Sequence, residues 1–196
     1  MRKVKILLVV DVQNDFVTGT LGSSQAQEII PNVMDKINNY DGEYIIFTRD
    51  THTEDYLFSK EGQKLPVKHC IKGSDGWRLI PEIEDYLKKN LISREKTISV
   101  VNKPTFGSVH HDNETMSLID CVNNIKTTNG ECELCIEVVG VCTGICVVSN
   151  ALLLKAHFYD IADITVDAKC CACVSDKTHD AALTTLETCQ INVINR

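Results

Sequence analysis

Residues 135–156 read CIEVVGVCTGICVVSNALLLKA: a short apolar run, a turn that contains glycine, and a second apolar run with no charge before Lys155. The first run, Ile136 to Val141, is rich in β-branched residues and has the length of a buried strand. The second run, Cys146 to Ala156, is apolar on nearly every side and has the length of a buried helix. The segment therefore predicts a strand, a tight turn and a helix that begins at Cys146.

The position of Cys146 makes it a candidate nucleophile. Backbone N–H groups and the helix dipole stabilise a thiolate at the start of a helix. Most buried cysteines are instead small core residues, so the functional interpretation needs partners. Asp11 and Lys103, each at the end of a predicted strand, are the two candidates for a base and a cation. Taken singly, such an aspartate is more often a cap and such a lysine is more often solvated.

Short apolar segments alternate with amphipathic segments along the whole chain. The alternation predicts a single α/β domain over residues 1–196, with a Rossmann-like three-layer α/β/α fold and a mainly parallel six-stranded sheet. A chain of 196 residues that is 43% hydrophobic suffices for one large core. The predicted strands are Val4–Val10, Tyr44–Thr48, Ile98–Val101, Ile136–Val141, Ile161–Val166 and Ile191–Ile194. The predicted helices are one with Pro31 in its first turn, followed by Ile80–Lys89, Glu114–Lys126, Cys146–Ala156 and Lys177–Thr188.

Charge and composition exclude several classes of partner. A net charge of −7 without a basic stripe disfavours nucleic acid and anionic membranes, so we expect a small-molecule substrate. The apolar run Ile6–Val10 ends at Asp11 and is too short for a signal peptide. We therefore expect a cytoplasmic protein whose ten cysteines are reduced thiols. Neither GxGxxG nor GxxxxGK[ST] occurs, so we expect no nucleotide cofactor.

Two groups of cysteines have spacings that deserve comparison with structural zinc sites. Cys135 opens a predicted strand, and the group Cys170, Cys171 and Cys173 follows another predicted strand. A tetrahedral arrangement of sulfur atoms would therefore be a coincidence. We therefore do not expect a structural zinc ion. The groups are Cys132 with Cys135, and Cys170 with Cys171 and Cys173.

A second set of reactive residues follows the second predicted strand. Ligands of parallel α/β sheets bind beyond the carboxyl ends of the strands, where Asp50 and His52 lie. His69 lies within the long irregular stretch Thr51–Trp77, whose length indicates a functional loop. A carboxylate and two imidazoles suit zinc, iron or manganese. The same spacing also fits a capping aspartate and two surface histidines.

Three motifs together resemble the isochorismatase-like cysteine hydrolases, whose best-known amidase members are the nicotinamidases. The motifs are DVQNDF at Asp11, NKPTFGS at Lys103 and GVCTGICV at Cys146, and the similarity extends to ITVDA, which ends at Ala168. The resemblance implies that Asp11 is the general base and acid. It also implies that Lys103 stabilises the negative charges of the Asp11 carboxylate and the Cys146 thiolate. It implies that Cys146 forms a thioester while ammonia leaves. It also implies a cis peptide bond before Cys142 and an oxyanion hole formed by the N–H groups of Cys142 and Cys146.

The resemblance further implies a divalent metal ion, with zinc favoured over iron or manganese. Asp50, His52 and His69 match the nicotinamidase residues that bind this ion, which holds the pyridine nitrogen of the substrate. Glu61 is the candidate fourth ligand, and Glu54 is the alternative.

The sequence departs from the nicotinamidases just before the second metal histidine. Those enzymes usually have an aromatic residue and a proline there, whereas LPVKH supplies Leu65 and Pro66 with one extra residue before His69. The aromatic wall against the pyridine ring therefore has to be sought elsewhere. Although aromatic residues more often belong to a core, we consider three as wall candidates. They are Phe16, Trp77 and Phe106.

We interpret the chain as a metal-assisted, cysteine-dependent amidohydrolase that acts on a small carboxamide. The leading reaction is nicotinamide to nicotinate, a step of NAD salvage, and we expect a homo-oligomer. An N-carbamoyl amidase would keep the same three catalytic residues, so the presence or absence of the metal ion distinguishes the two enzymes. An isochorismatase cleaves a vinyl ether and needs neither the cysteine nor the metal ligands. A catalytically silent binding protein of the same fold would not need the intact catalytic set.

Overall fold

The computed structural model describes residues 1–109 and 116–196. Its strands are β1 (Arg2–Val10), β2 (Tyr44–Asp50), β3 (Thr97–Lys103), β4 (Cys132–Val141), β5 (Ala162–Ala172) and β6 (Asn192–Ile194). They form a six-stranded sheet in the order β3-β2-β1-β4-β5-β6. Every neighbouring pair in this sheet is parallel. The predicted α/β class and six-stranded sheet are confirmed.

Helices cover both faces of the sheet. One face is covered by α1 (Asn14–Val17), α2 (Ser24–Glu28), α3 (Ile30–Asn38) and α4 (Pro81–Ser93), and the other by α5 (Leu118–Asn129), α6 (Val148–His157) and α7 (Asp176–Thr188). The sequence did not predict α1 and α2, which are short. The predicted start of α5 at Glu114 lies outside the described residues. Within the described ranges, no helix has the length and hydropathy needed to cross a bilayer.

The central strand β1 explains why the fold forms. Ile6 to Val10 are all fully buried. Alternate side chains point to opposite faces of a strand, so Ile6 and Leu8 pack towards α5–α7 while Leu7 and Val9 pack towards α1–α4. Both faces of β1 are covered, which is why its sequence is uniformly apolar. Each such side chain contributes about 1.5–3 kcal/mol through burial.

Strand β5 is longer than predicted. It continues to Ala172 instead of ending at Val166, and its register with β4 shifts between Val138 and Gly140. Gly140 has φ +120°, and a Cβ there would lie 2.1 Å from the carbonyl oxygen of Val10. Only glycine therefore allows β4 to approach β1 this closely at the shift.

The extension of β5 corrects the placement of the cysteine groups. Cys170 and Cys171 lie within β5, and Cys135 lies in the middle of β4 and not at its start. All ten cysteines are free thiols.

The register of the sheet gathers the reactive residues at one edge. Val10 pairs with Gly140, and Asp50 pairs with Lys103. Asp11 and the turn after β4 therefore follow the strands at the same carboxyl edge as Asp50 and Lys103.

Candidate active site

Asp11, Lys103 and Cys146 meet at this carboxyl edge. The Lys103 Nζ atom lies 2.6 Å from Asp11 Oδ2 and 3.6 Å from Cys146 Sγ. Asp11 and Lys103 are fully buried, and Cys146 is 5% exposed. The structure thus brings together a carboxylate, an ammonium and a thiol that are far apart in the sequence.

The Lys103 ammonium is surrounded by acceptor and anionic groups. Besides Asp11 and Cys146, it donates to the carbonyl oxygen of Thr105 over 3.2 Å. Asp50 Oδ1 lies 3.5 Å away. Burial lowers the pKa of Lys103, but the charges of Asp11, Cys146 and Asp50 outweigh it, so the net pKa is raised. Lys103 is therefore a fixed positive charge.

The Cys146 thiol is less acidic than the sequence predicted. Burial raises its pKa well above the ordinary value; Lys103 opposes this, and Asp11 adds to it. Cys146 also lies in a π-helical turn, Thr143–Val147, that precedes α6, so the predicted α-helix start at Cys146 is wrong. A thiol with a raised pKa needs a base to become a nucleophile.

The Asp11 carboxylate is held in a fixed position beside Lys103. Its backbone has φ +50°, and its Oδ1 accepts a 2.6 Å hydrogen bond from the Thr48 hydroxyl. The Asp11 N–H donates to the same hydroxyl oxygen over 3.2 Å. Burial raises the pKa of the Asp11 carboxyl, and Lys103 opposes that shift. Thr48 fixes one carboxylate oxygen and leaves the other towards Lys103.

The turn after β4 contains a cis peptide bond between Val141 and Cys142, as the resemblance implied. The Cys142 carbonyl accepts hydrogen bonds from the N–H groups of Ile145 at 3.0 Å and Val147 at 3.1 Å. These bonds close the turn that carries Cys146. The role of the Cys142 and Cys146 N–H groups as oxyanion donors stays a prediction.

A second cluster, beside Lys103, consists of Asp50, His52, Glu61 and His69. Their ligand atoms all lie within 4.8 Å of one another. His52 Nε2 is 3.0 Å from Asp50 Oδ2 and 3.7 Å from Glu61 Oε1. His69 Nε2 is 3.4 Å from Asp50 Oδ2 and 4.0 Å from Glu61 Oε1. The loop between β2 and α4 thus folds back onto the end of β2.

The four carboxylate–imidazole separations, from 3.0 to 4.0 Å, bracket the ligand spacing of a tetrahedral metal site. Zinc ligands at about 2.0–2.1 Å from the ion are about 3.3–3.4 Å apart from one another. His52 Nε2 and Glu61 Oε1 are buried and make no hydrogen bond within the described ranges. The Nδ1 atom of His69 donates to the Val67 carbonyl over 2.8 Å, which leaves Nε2 with a free lone pair. The donor set therefore suits a divalent ion such as zinc.

The structure separates the two candidates for the fourth ligand. The Glu61 side chain is 21% exposed and reaches both histidines. The Glu54 side chain is 79% exposed and pairs with Lys68 at 2.8 Å. Glu61 is therefore the residue that can complete the cluster.

Three supporting residues were not identified from the sequence as part of the site. The Gln13 side chain accepts the Asp50 N–H over 2.7 Å and donates to the Asp50 carbonyl over 2.9 Å. Asp15 accepts the N–H of Cys70, next to His69, over 2.7 Å. Gln13 and Asp15 lie two and four residues after Asp11 in DVQNDF, so this motif could have pointed to them as site residues. No such motif pointed to Tyr56.

Tyr56 supports the two histidines from within the loop. Its ring centroid lies 4.5 Å from that of His52 and 4.9 Å from that of His69. Its hydroxyl donates to the Leu65 carbonyl over 3.1 Å. The ring therefore restricts the orientation of both imidazoles.

The three aromatic wall candidates occupy different surroundings. Phe16 lies beside His69, with ring centroids 5.6 Å apart. Trp77 has the Arg49 guanidinium 3.7 Å above its ring and donates through Nε1 to Thr51 over 2.8 Å. Phe106 is 43% exposed. Of the three, Phe16 is the one placed against a metal-site residue.

Comparison with solved structures gives relatives over almost the whole chain. The pyrazinamidase/nicotinamidase of Streptococcus mutans is 26% identical, with a TM-score of 0.75, covering 97% of this chain and 99% of that one. The yeast nicotinamidase bound to the inhibitor nicotinaldehyde is 21% identical, with a TM-score of 0.76, covering 98% and 100%. The pyrazinamidase of Pyrococcus horikoshii in complex with zinc is 20% identical, with a TM-score of 0.68, covering 98% and 99%.

The curated protein sequences contain no match to this chain. The family model described as the Isochorismatase domain, in contrast, matches residues 5–196. This match includes most of β1, all of the later strands, the carboxyl edge of the sheet and both clusters described above. The chain therefore belongs to the Isochorismatase domain family of hydrolases.

Proposed function

We propose that this enzyme is a metal-assisted cysteine amidohydrolase that releases ammonia from a small carboxamide, with nicotinamide as the leading substrate. The observation that carries the proposal is the buried Lys103 ammonium, which lies within reach of both Asp11 and Cys146. The adjacent Asp50, His52, Glu61 and His69 cluster supports a metal-assisted pocket. The nicotinamidase and pyrazinamidase relatives support the choice of an aromatic carboxamide.

The first half of the reaction forms a thioester. Asp11 takes the proton of the Cys146 thiol, and the sulfur attacks the carboxamide carbon. The carbonyl oxygen becomes an oxyanion, which the N–H groups of Cys142 and Cys146 stabilise. The tetrahedral intermediate collapses as Asp11 returns the proton to the amide nitrogen. The C–N bond breaks, ammonia leaves, and the acyl group stays on Cys146.

The second half of the reaction hydrolyses the thioester. Asp11 takes a proton from a water molecule, whose oxygen attacks the acyl carbon. The same N–H groups stabilise the second oxyanion. The C–S bond breaks, the carboxylic acid leaves, and the proton returns to the Cys146 sulfur. Lys103 stays positively charged throughout and offsets the negative charge that moves between Asp11 and Cys146.

Asp50, His52, Glu61 and His69 would hold the divalent ion, for which zinc is our choice because a pyrazinamidase relative contains it. When bound, the ion supplies a Lewis-acidic position for the ring nitrogen of the substrate. Phe16 lies beside His69 and would contact the ring.

The substrate is tested by incubating the purified protein with a panel of small amides and measuring the released ammonia. The panel contains nicotinamide, benzamide, an aliphatic amide and an N-carbamoyl amino acid. We expect nicotinamide to give the highest kcat/KM. Preferred release from the carbamoyl compound would favour the alternative amidase. No release from any member would contradict the proposed activity.

The metal makes a separate prediction. Elemental analysis is expected to give about one divalent ion per chain, and His52→Ala is expected to lose it. The KM of His52→Ala for nicotinamide should rise about tenfold or more, which corresponds to about 1.4 kcal/mol of binding. Benzamide has the same ring without the nitrogen, so its KM should change little. Equal changes for both amides would contradict a role for the metal in binding the ring nitrogen.

Glu61 and Glu54 provide a matched pair for the fourth ligand. Glu61→Gln keeps the size of the side chain but removes a carboxylate from the cluster, so the affinity for zinc should fall. Glu54→Gln alters an exposed carboxylate that pairs with Lys68 and should leave the affinity unchanged. Competition with a chelating zinc indicator measures both. Loss of affinity in Glu54→Gln with none in Glu61→Gln would reverse the assignment.

A further inference from the structure

The side chain of Asn150 connects two segments of the active site. Asn150 is fully buried in the first turn of α6, one helical turn after Cys146. Its Nδ2 group donates to the carbonyls of Phe106 at 2.9 Å and Cys146 at 2.8 Å. Its Oδ1 accepts the N–H of Ser108 over 2.9 Å. Two carbonyls need donors and one N–H needs an acceptor, so the amide orientation is unambiguous.

The loop held by Asn150 consists of residues 104–108, which we call the lysine loop. The Thr105 carbonyl of this loop accepts a hydrogen bond from Lys103 Nζ. A Cβ on Gly107 would lie 2.4 Å from Leu153 Cδ1, so the loop backbone rests directly on α6. The Ser108 hydroxyl accepts the N–H of Leu118 over 2.9 Å. The lysine loop is therefore fixed on one side by α5 and on the other by Asn150.

Together these contacts determine where the ammonium points. The Lys103 ammonium pairs with Asp11 and donates hydrogen bonds to the Thr105 carbonyl and the Cys146 sulfur. If the Thr105 carbonyl moves, the ammonium loses one of these two hydrogen-bond acceptors and can rotate away from the sulfur. Asn150 binds the turn of Cys146 and the lysine loop at once, so it couples the two positions.

We propose that Asn150 is a positioning residue, whose amide ties the lysine loop to the turn of Cys146 and thereby holds the Lys103 ammonium beside the sulfur. The proposal deepens the proposed function and rests on it for turnover. The placement of the ammonium beside the thiol has its own readout, which needs no substrate.

Asn150→Ser is the informative change. A serine within a helix can still donate to the carbonyl four residues earlier, which is that of Cys146, but it is too short to reach Phe106 and Ser108. The variant therefore keeps the bond within the helix and releases the lysine loop. Asn150→Thr makes the same change with more volume and is used if the serine variant does not fold.

Asn90→Ser is the matched control. The Asn90 amide also bridges a backbone N–H and a carbonyl, those of Lys96, at 3.1 Å and 3.0 Å. Asn90 lies in the last turn of α4 and holds Lys96, just before β3, at the sheet edge opposite to the site. Its loss should lower the melting temperature without moving Lys103 Nζ.

The readout is the rate of alkylation of Cys146 against pH, followed by peptide mass spectrometry because the chain has ten cysteines. The charged groups that face the sulfur are Lys103 from β3, Asp11 from the end of β1 and Asp50 from β2. Only the ammonium is expected to move. The profile of Asn150→Ser should shift to higher pH by about one unit, the size of the effect of one nearby opposite charge.

Turnover provides the second readout. The kcat/KM of Asn150→Ser for the best amide should fall on the order of a hundredfold, as expected for a displaced catalytic group. An unchanged alkylation profile in a folded Asn150 variant would overturn the proposal, whatever happens to turnover. The same shift in Asn90→Ser would also overturn it. If the wild type hydrolyses no amide, the proposed function fails, and the alkylation profiles still decide the role of Asn150.

Discussion

Replacing Cys146 with alanine is expected to lower the release of ammonia by a factor of about 10⁴ or more, as when other hydrolases lose their nucleophile. The reason is that the Lys103 ammonium donates to the Cys146 sulfur over 3.6 Å and lies 2.6 Å from the Asp11 carboxylate, so the proposed mechanism uses this thiol. The fold should persist, because the change removes one sulfur atom, a loss of about 1 kcal/mol of burial. Ammonia release and thermal unfolding of the same sample measure the two effects.

Cys142→Ala is the control for this prediction. Cys142 precedes the same turn, but the proposed mechanism uses its backbone N–H and not its sulfur. The variant should keep turnover within about tenfold of the wild type, a barrier change below about 1.4 kcal/mol. Near-normal turnover in Cys146→Ala, or equal losses in both variants, would contradict the assignment of the nucleophile.

Asp11→Asn has the second largest expected effect. Loss of the general base and acid should lower kcat by about 10²–10⁴-fold. The Asp11 carboxylate raises the pKa of the Cys146 thiol, so its removal should shift the alkylation profile of Cys146 to lower pH. The variant is therefore expected to have a more reactive thiol and a slower reaction. Stopped-time ammonia assays and peptide mass spectrometry measure the two changes.

Lys103→Met gives the opposite shift and serves as the comparison. Loss of the ammonium removes the charge that lowers the thiol pKa, so alkylation should move to higher pH while turnover also falls. The variant leaves the Asp11 carboxylate buried without its partner, and a loss of about 3–5 kcal/mol of stability is expected. A shift in the same direction for Asp11→Asn and Lys103→Met would contradict the proposed charge arrangement.

The general fold followed from the sequence because its strongest signals are local. The run Ile6 to Val10 is buried on both faces of a parallel sheet, and such a strand has a recognisable apolar sequence. The length of β5 was missed because it depends on a register shift opposite Gly140, which is a property of strand pairing. The helices α1 and α2 were missed because four and five residues give no periodic pattern.

The motifs singled out the three residues that meet at the carboxyl edge of the sheet, Asp11, Lys103 and Cys146, but they did not indicate the direction in which the pKa of Cys146 is shifted. The sequence indicated a stabilised thiolate, whereas burial in the structure raises the pKa of the thiol. Burial is a tertiary property, so the position at the start of a helical turn does not determine it. Asn150 and Tyr56 were missed for the same reason, since their contacts join segments distant in sequence.

The choice between Glu61 and Glu54 also required the structure. Both carboxylates lie in the loop that connects β2 to α4, and the sequence analysis kept Glu54 as the alternative to Glu61. The path of the loop places Glu61 against the histidines and Glu54 beside Lys68 in solvent. No local pattern encodes such a path.

The central claim is that a thioester forms on Cys146. Its most direct test is to let water and hydroxylamine compete for that acyl-enzyme intermediate. Nicotinamide and methyl nicotinate carry the same acyl group with different leaving groups, so they should form the same acyl-enzyme. At a fixed hydroxylamine concentration, we expect the ratio of hydroxamate to nicotinate, measured by chromatography, to be identical for the two substrates. A ratio that differs between them, or turnover of nicotinamide to nicotinate without any hydroxamate, would contradict the account.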